Sequence, residues 1–263
     1  MNPSNTRGHA PAVADNVLFV ASMAALYVGI QSVVVVAHEF AHSTTAWLLG
    51  YTSTPFTVVW GNPITMLGWD EGVPYDHLFA SGGRPAEAAI GGMPLLMHAV
   101  FIILALIGLQ RVSITKHKLS FYALYWFLVV NLTEMVAYLW MRPFIPTGDT
   151  GRFNQGFSIS PWYLFVAGSL LLVWAFFIVL TKVMPRLDVV GDGSRAKHAI
   201  FVWMTAFLMF LWGSGLRIMT LYPDHQWRWG LIGLVLAPLW VLADRLRMDG
   251  ASPSVTSVIE VVR

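Results

Sequence analysis

Apolar residues along this chain come in long blocks, separated by short polar stretches. The hydrocarbon core of a bilayer is about 30 Å thick and takes roughly 20 apolar residues of helix to cross. Six blocks reach that length, over residues 16–49, 87–109, 119–141, 162–184, 198–221 and 227–246. The first is longer than a single crossing needs. No repeat and no low-complexity linker divides the series, so the pattern predicts one all-α polytopic membrane protein. The stretch 51–70 has another character. Two β-prone runs, 56–60 and 64–67, flank Gly61-Asn62-Pro63, which predicts a small β-hairpin between the first and second helices. Such a hairpin must lie at the interface or against the helices, because lipid leaves backbone groups unpaired. Residues 71–85, with Asp76, His77 and Ser81-Gly82-Gly83, read as a loop.

Composition narrows the class. Hydrophobic residues make up 56% and charged residues 11% of the 263, and the mean hydropathy is +0.62. An average soluble domain is roughly 45–50% apolar and about 25% charged. A water-soluble domain, a disordered chain and a coiled coil are all excluded on that ground. With no cysteine, there is no disulfide, thiolate metal site or cysteine nucleophile. The net charge is +2 with basic residues scattered, so no nucleic-acid partner is expected.

Residues 1–15 are polar and carry Arg7, and the apolar run behind them is too long for a signal-peptide core, so a retained first helix is expected. Six crossings put the loops alternately on two sides. Eleven of the 16 Lys/Arg then share a side with both termini, and five lie opposite. The positive-inside rule places the termini in the cytoplasm. The expected location is a bacterial inner membrane, with the lipid bilayer as an obligatory partner. The expected divisions are a polar tail over 1–15, a core of three helices plus hairpin over 16–152, three further helices over 153–247 and a C-terminal tail over 248–263. Trp140, Trp162, Trp227 and Trp229 fall near span ends, as an aromatic belt does.

The chemistry begins at the end of the first helix, which reads VVVVAHEFAH. His38 and His42 are four residues apart, so both imidazoles project from one helix face. Two such nitrogens hold one Zn²⁺, and Glu39, beside the first ligand, reaches the attacking water without being a ligand itself. Ionisable groups in an apolar helix are functional candidates by default, because each is costly there. A third ligand has to come from the same side of the membrane. Asp149, in Pro143-Phe-Ile-Pro-Thr-Gly-Asp149 directly after the third helix, is the best placed, with the prolines and glycines expected to end the helix in an irregular turn. Glu134 competes as ligand, as support for a ligand histidine, or as an interhelical hydrogen bonder. Asn131 either meets substrate or ties helices together. His98 is either a packing residue or part of the site. His77 and His225 lie in loops on the same side. Gly91-Gly92-Met93-Pro94 allows close helix packing or a kink.

This ordered set resembles the site-2 protease family of intramembrane zinc metalloproteases. The likeness rests on HEFAH in a transmembrane helix, the hairpin-like segment, Ala89-Ile90-Gly91-Gly92-Met93-Pro94 opening the next helix, Asn131, and the Pro-rich segment ending in Asp149. The resemblance implies His38, His42 and Asp149 as zinc ligands and Glu39 as catalytic base. It covers residues 30–152 and is silent on the last three helices.

The expectation is therefore an intramembrane zinc-dependent endopeptidase acting on membrane-embedded or membrane-proximal protein segments. One alternative is a non-catalytic, pseudoprotease-like subunit that keeps a structural metal within a larger membrane complex, although such a site has no need of Glu39. The other is a small transporter with His38, His42, His98 and Glu134 along its path, against which the missing repeat argues.

Overall fold

A computed structural model of the chain describes residues 9–65, 67–80, 84–221 and 226–250. Arg7, Met66, the 81–83 run, His225, Arg263 and most of both predicted tails lie outside these residues. Six of the described helices are long and apolar enough to cross a membrane. They are α1 (His9–Leu48), α2 (Arg84–Leu109), α3 (Lys118–Met141), α5 (Pro161–Val190), α6 (Arg195–Thr220) and α7 (Trp227–Gly250), with a shorter helix, α4 (Gly148–Phe157), between the third and fourth spans. Each predicted span falls on one of the six. The polar N-terminal boundary shifts, because helix already runs from His9.

α3 is the hub. About 72% of its apolar window is buried, against 28% for α1, 22% for α5 and 28% for α7. Phe121, Tyr125, Trp126 and Leu128 of α3 pack with Tyr27 of α1 and Phe201 of α6 into an aromatic core. The outer faces carry exposed Val17, Leu170, Phe177 and Leu234, the pattern of helices whose outside is not water. α3 ends in a wide turn over Ala137–Met141, closed by the Arg142 N–H donating to the Ala137 carbonyl at 2.9 Å. Wide turns of this kind often mark functional sites.

The predicted β-hairpin does not form. Among the described residues there is no strand, and the segment holds a single antiparallel bridge, Val59 with Asp70. The reason is local. Asn62 Oδ1 accepts from the Ile64 and Thr65 N–H groups at 2.8 and 3.0 Å, so the residues expected to start the second strand are used as the turn. The tip then lies between helices. The Pro63 carbonyl accepts from Gln31 Nε2 of α1 at 3.1 Å, and the Ile64 carbonyl accepts from Trp212 Nε1 of α6 at 3.3 Å. Gln31 is seven residues before His38, about 10 Å along the helix. The loop thus dips past the level of the histidines, with its carbonyls paired to side chains as an apolar setting demands.

A second expectation also changes. Asp149 lies in the first turn of α4 and not in an irregular turn. The helix is polar, which hid it from hydropathy, yet its polar side chains are used. Thr150 donates to the Arg142 carbonyl at 3.1 Å, Asn154 to Pro143 at 3.3 Å and Gln155 to Pro146 at 2.6 Å. They give the carbonyls of Arg142, Pro143 and Pro146, in the turn before the helix, side-chain donors. Gly91 lets α4 approach α2. A Cβ there would meet Arg152 Cβ at 2.8 Å and the Asp149 carbonyl oxygen at 3.0 Å.

Candidate metal and catalytic centre

His38 and His42 emerge from α1 as the i, i+4 spacing requires, and both are buried. Asp149 is brought to them from α4. Its Oδ2 lies 3.1 Å from His38 Nε2 and 3.3 Å from His42 Nε2. Hydrogen-bond partners on the far side of each ring fix where the protons sit.

The His42 ring is set by Pro94. In a helix the Ile90 carbonyl would accept the N–H of residue 94, and proline has none. The carbonyl accepts instead from His42 Nδ1 at 2.8 Å. His42 Nδ1 therefore carries a proton, and in the neutral ring Nε2 presents a lone pair.

The His38 ring is set by a relay across three helices. Asn131 Nδ2 donates to the Phe127 carbonyl at 2.7 Å, which turns Asn131 Oδ1 towards His98. That oxygen accepts from His98 Nδ1 at 2.8 Å. His98 Nε2 is then an acceptor and takes the proton of His38 Nδ1 at 2.9 Å. In the neutral ring His38 Nε2 then has a lone pair, which accepts from the Tyr138 O–H at 3.2 Å.

Two imidazole Nε2 nitrogens and a carboxylate oxygen thus converge, and with both rings neutral the nitrogens present lone pairs to the same point. Asp149 Oδ2 is buried and has no hydrogen-bond donor. Burial resists its ionisation, and positive charge on His42 and His38 outweighs that, holding the carboxyl well below its usual range. A cation at the same point has the same effect with both rings neutral.

Glu39 is buried and lines a cavity of about 260 Å³ with His38, His42, Asp149, Tyr138 and Glu71. Ligand atoms of His38, Glu39 and His42 lie within 4.8 Å of one another, as do those of His38, His98 and Glu134. The Glu134 carboxylate, however, is engaged by an arginine. Both its oxygens accept from Arg217 Nη1, at 2.7 and 2.8 Å, so it supports the relay region as half of a buried ion pair. Asn131 and His98 stand behind His38 and do not line the cavity. His77 is exposed and lies apart from it.

Tyr75, Arg152, Tyr138 and Arg217 belong to this site and carry no sequence motif. Burial, then the Glu71 carboxylate, push the Tyr75 phenol above its usual range, so it stays a donor. Arg152 is bound by Asp76 and Glu87 at 2.9 and 3.1 Å, and those contacts outweigh its burial to raise its affinity for the proton. Tyr75 and Arg152 also line a second, larger cavity of about 670 Å³ beside the first. An intramembrane Arg217 opposite Glu134 was the one member with a readable signal, since a lone charge in an apolar helix implies a partner.

No family model, no curated protein and no solved structure matches this chain.

Proposed function

We propose that the protein is an intramembrane zinc-dependent endopeptidase of the site-2 protease type. One observation carries the reading: the buried Asp149 Oδ2 has no other donor, and the Nε2 nitrogens of two histidines face it at 3.1 and 3.3 Å. Two imidazole nitrogens and a carboxylate oxygen form a donor set suited to Zn²⁺ in a catalytic site, which takes three protein ligands and keeps a position open. His38, His42 and Asp149 would hold the ion. When bound, Zn²⁺ supplies Lewis acidity, polarising a carbonyl and making a water nucleophilic near neutral pH.

The chain's own groups do the rest. Glu39, on the cavity wall between the two histidines in sequence, takes a proton from the attacking water and returns it to the leaving amine. The Asn131–His98 relay and the Ile90 carbonyl hold the two rings in the ligating tautomer. The two adjoining cavities, of about 260 and 670 Å³, give an extended polypeptide segment room to lie across the site. Six helices of membrane-crossing length and the Lys/Arg asymmetry favour a bilayer location with cytoplasmic termini and the site near the opposite face.

The test uses full-length protein in detergent. Wild type is expected to carry one zinc per chain and to cleave a labelled transmembrane peptide. Glu39→Gln is expected to keep the zinc and the melting temperature and to lose turnover by about 10²–10⁴-fold. Wild-type protein without stoichiometric zinc, or undiminished cleavage by Glu39→Gln, overturns the proposal.

A further inference from the structure

One wall of the cavity is left unused by proton transfer through Glu39. Tyr138 stands there, in the wide turn that ends α3. Its ring is buried and stacks on His38, with planes 12° apart and centroids at 5.6 Å. The Arg142 guanidinium lies 4.4 Å from the centre of the same ring. The ring is therefore fixed on two contacts, and its hydroxyl is fixed with it.

The hydrogen count decides what that hydroxyl can do. The relay through His98 keeps a proton on His38 Nδ1, so in the neutral ring His38 Nε2 has a lone pair and Tyr138 donates to it at 3.2 Å. A cation held by His38 takes that lone pair for itself. The Tyr138 O–H then has lost its acceptor at a buried position, where an unmet donor is costly. It still lines the cavity beside His38, where a carbonyl bound at the His38–His42–Asp149 cluster would develop charge. Fixed donors aimed at charge that appears only in the transition state are the largest single catalytic device in acyl transfer.

We propose that Tyr138 is a catalytic residue, the hydrogen-bond donor to the oxyanion of the hydrolysis. This rests on the zinc-peptidase reading and adds a role to it. Water oxygen bonds to the scissile carbonyl carbon while its proton passes to Glu39. The carbonyl π pair moves onto oxygen, and that oxyanion accepts the hydrogen bond from Tyr138, which keeps its own proton throughout. The pair then returns, the C–N bond breaks, and the amine leaves with the proton from Glu39.

Tyr138→Phe removes the donor and keeps the ring. Zinc-loaded wild type and variant are titrated calorimetrically with two probes. Acetohydroxamate ligates a metal without a tetrahedral oxyanion. A phosphinic tripeptide presents a tetrahedral, anionic oxygen pair. The expected result is unchanged zinc content, unchanged acetohydroxamate affinity and phosphinate binding weakened by about 10- to 100-fold, the worth of one hydrogen bond to a charged group. On the peptide cleaved by wild type, kcat falls by about 10²–10³-fold with KM unchanged, as for loss of one oxyanion donor. Equal weakening of both probes, or loss of zinc, makes Tyr138 a support for His38 and overturns the proposal. So does an unaltered phosphinate affinity. Zinc-free wild type instead brings down the parent reading, a result visible before any variant is made.

Discussion

The two ends of the helix bundle each bring histidine together with aspartate, and they use the pair in opposite ways. At one end, His198 of α6 lies between Asp188 of α5 and Asp244 of α7. Its Nδ1 and Nε2 each face a carboxylate oxygen, and Arg247 adds a contact to Asp244 at 2.9 Å. Carboxylates only accept, so both ring nitrogens donate and every lone pair has its proton. The cluster is closed and clasps three helices. At the other end, His38 and His42 also meet an aspartate, but their protons have been drawn to the far side of the rings by His98 and by the Ile90 carbonyl. In the neutral rings the nitrogens facing Asp149 hold lone pairs. The residue types are the same, and the partners behind the rings differ: carboxylates meet both nitrogens of His198, whereas at His38 and His42 a neutral acceptor takes the Nδ1 proton, which is what the proposed cation site requires.

The hardest test of that contrast swaps the readouts. His38→Ala with His42→Ala is expected to abolish zinc binding, measured by elemental analysis of the purified protein. His198→Gln is expected to keep the full zinc content and instead to lower unfolding stability by about 1–3 kcal/mol, the worth of hydrogen bonds to charged groups. Zinc lost from His198→Gln, or kept in the double variant, breaks the comparison.

A smaller effect is expected behind the site. His98→Phe removes the acceptor of the His38 proton without touching the cavity. Changes in such supporting partners typically reduce metal affinity about 10–100-fold, to be read in a chelator competition. An unchanged zinc affinity would mean that His38 needs no relay.

The smallest expected effect has two opposite signs. Pro94→Ala restores an N–H that competes with His42 for the Ile90 carbonyl. A carbonyl has two lone pairs, so zinc affinity is expected to fall only by about a factor of a few, while the helix repair raises the melting temperature. A fall in both would show that Pro94 serves packing and not the ring of His42.

The sequence alone determined the spans and half of the site. Hydropathy blocks about as long as a bilayer is thick survive any tertiary arrangement, so α2, α3, α6 and α7 were legible to within four residues, while α1 starts seven residues earlier and α5 ends six residues later than the blocks. So was the HEFAH face, because i, i+4 positions share a side of any helix. Alternation of β-prone residues misled at 56–67, where Asn62 captures two N–H groups and makes the second run a turn. α4 was missed because its polar residues pair with loop carbonyls that hydropathy does not register. Only the tertiary structure decided which acid faces both His38 and His42 and which is held in an ion pair: Asp149 arrives through the close α2–α4 contact at Gly91, while Arg217, 83 residues away along the chain, pairs with Glu134. Only the tertiary structure, too, set the protons, because a tautomer is chosen by the partner behind the ring, and those partners come from Ile90 and from His98 and Asn131, on helices that the chain order does not place side by side.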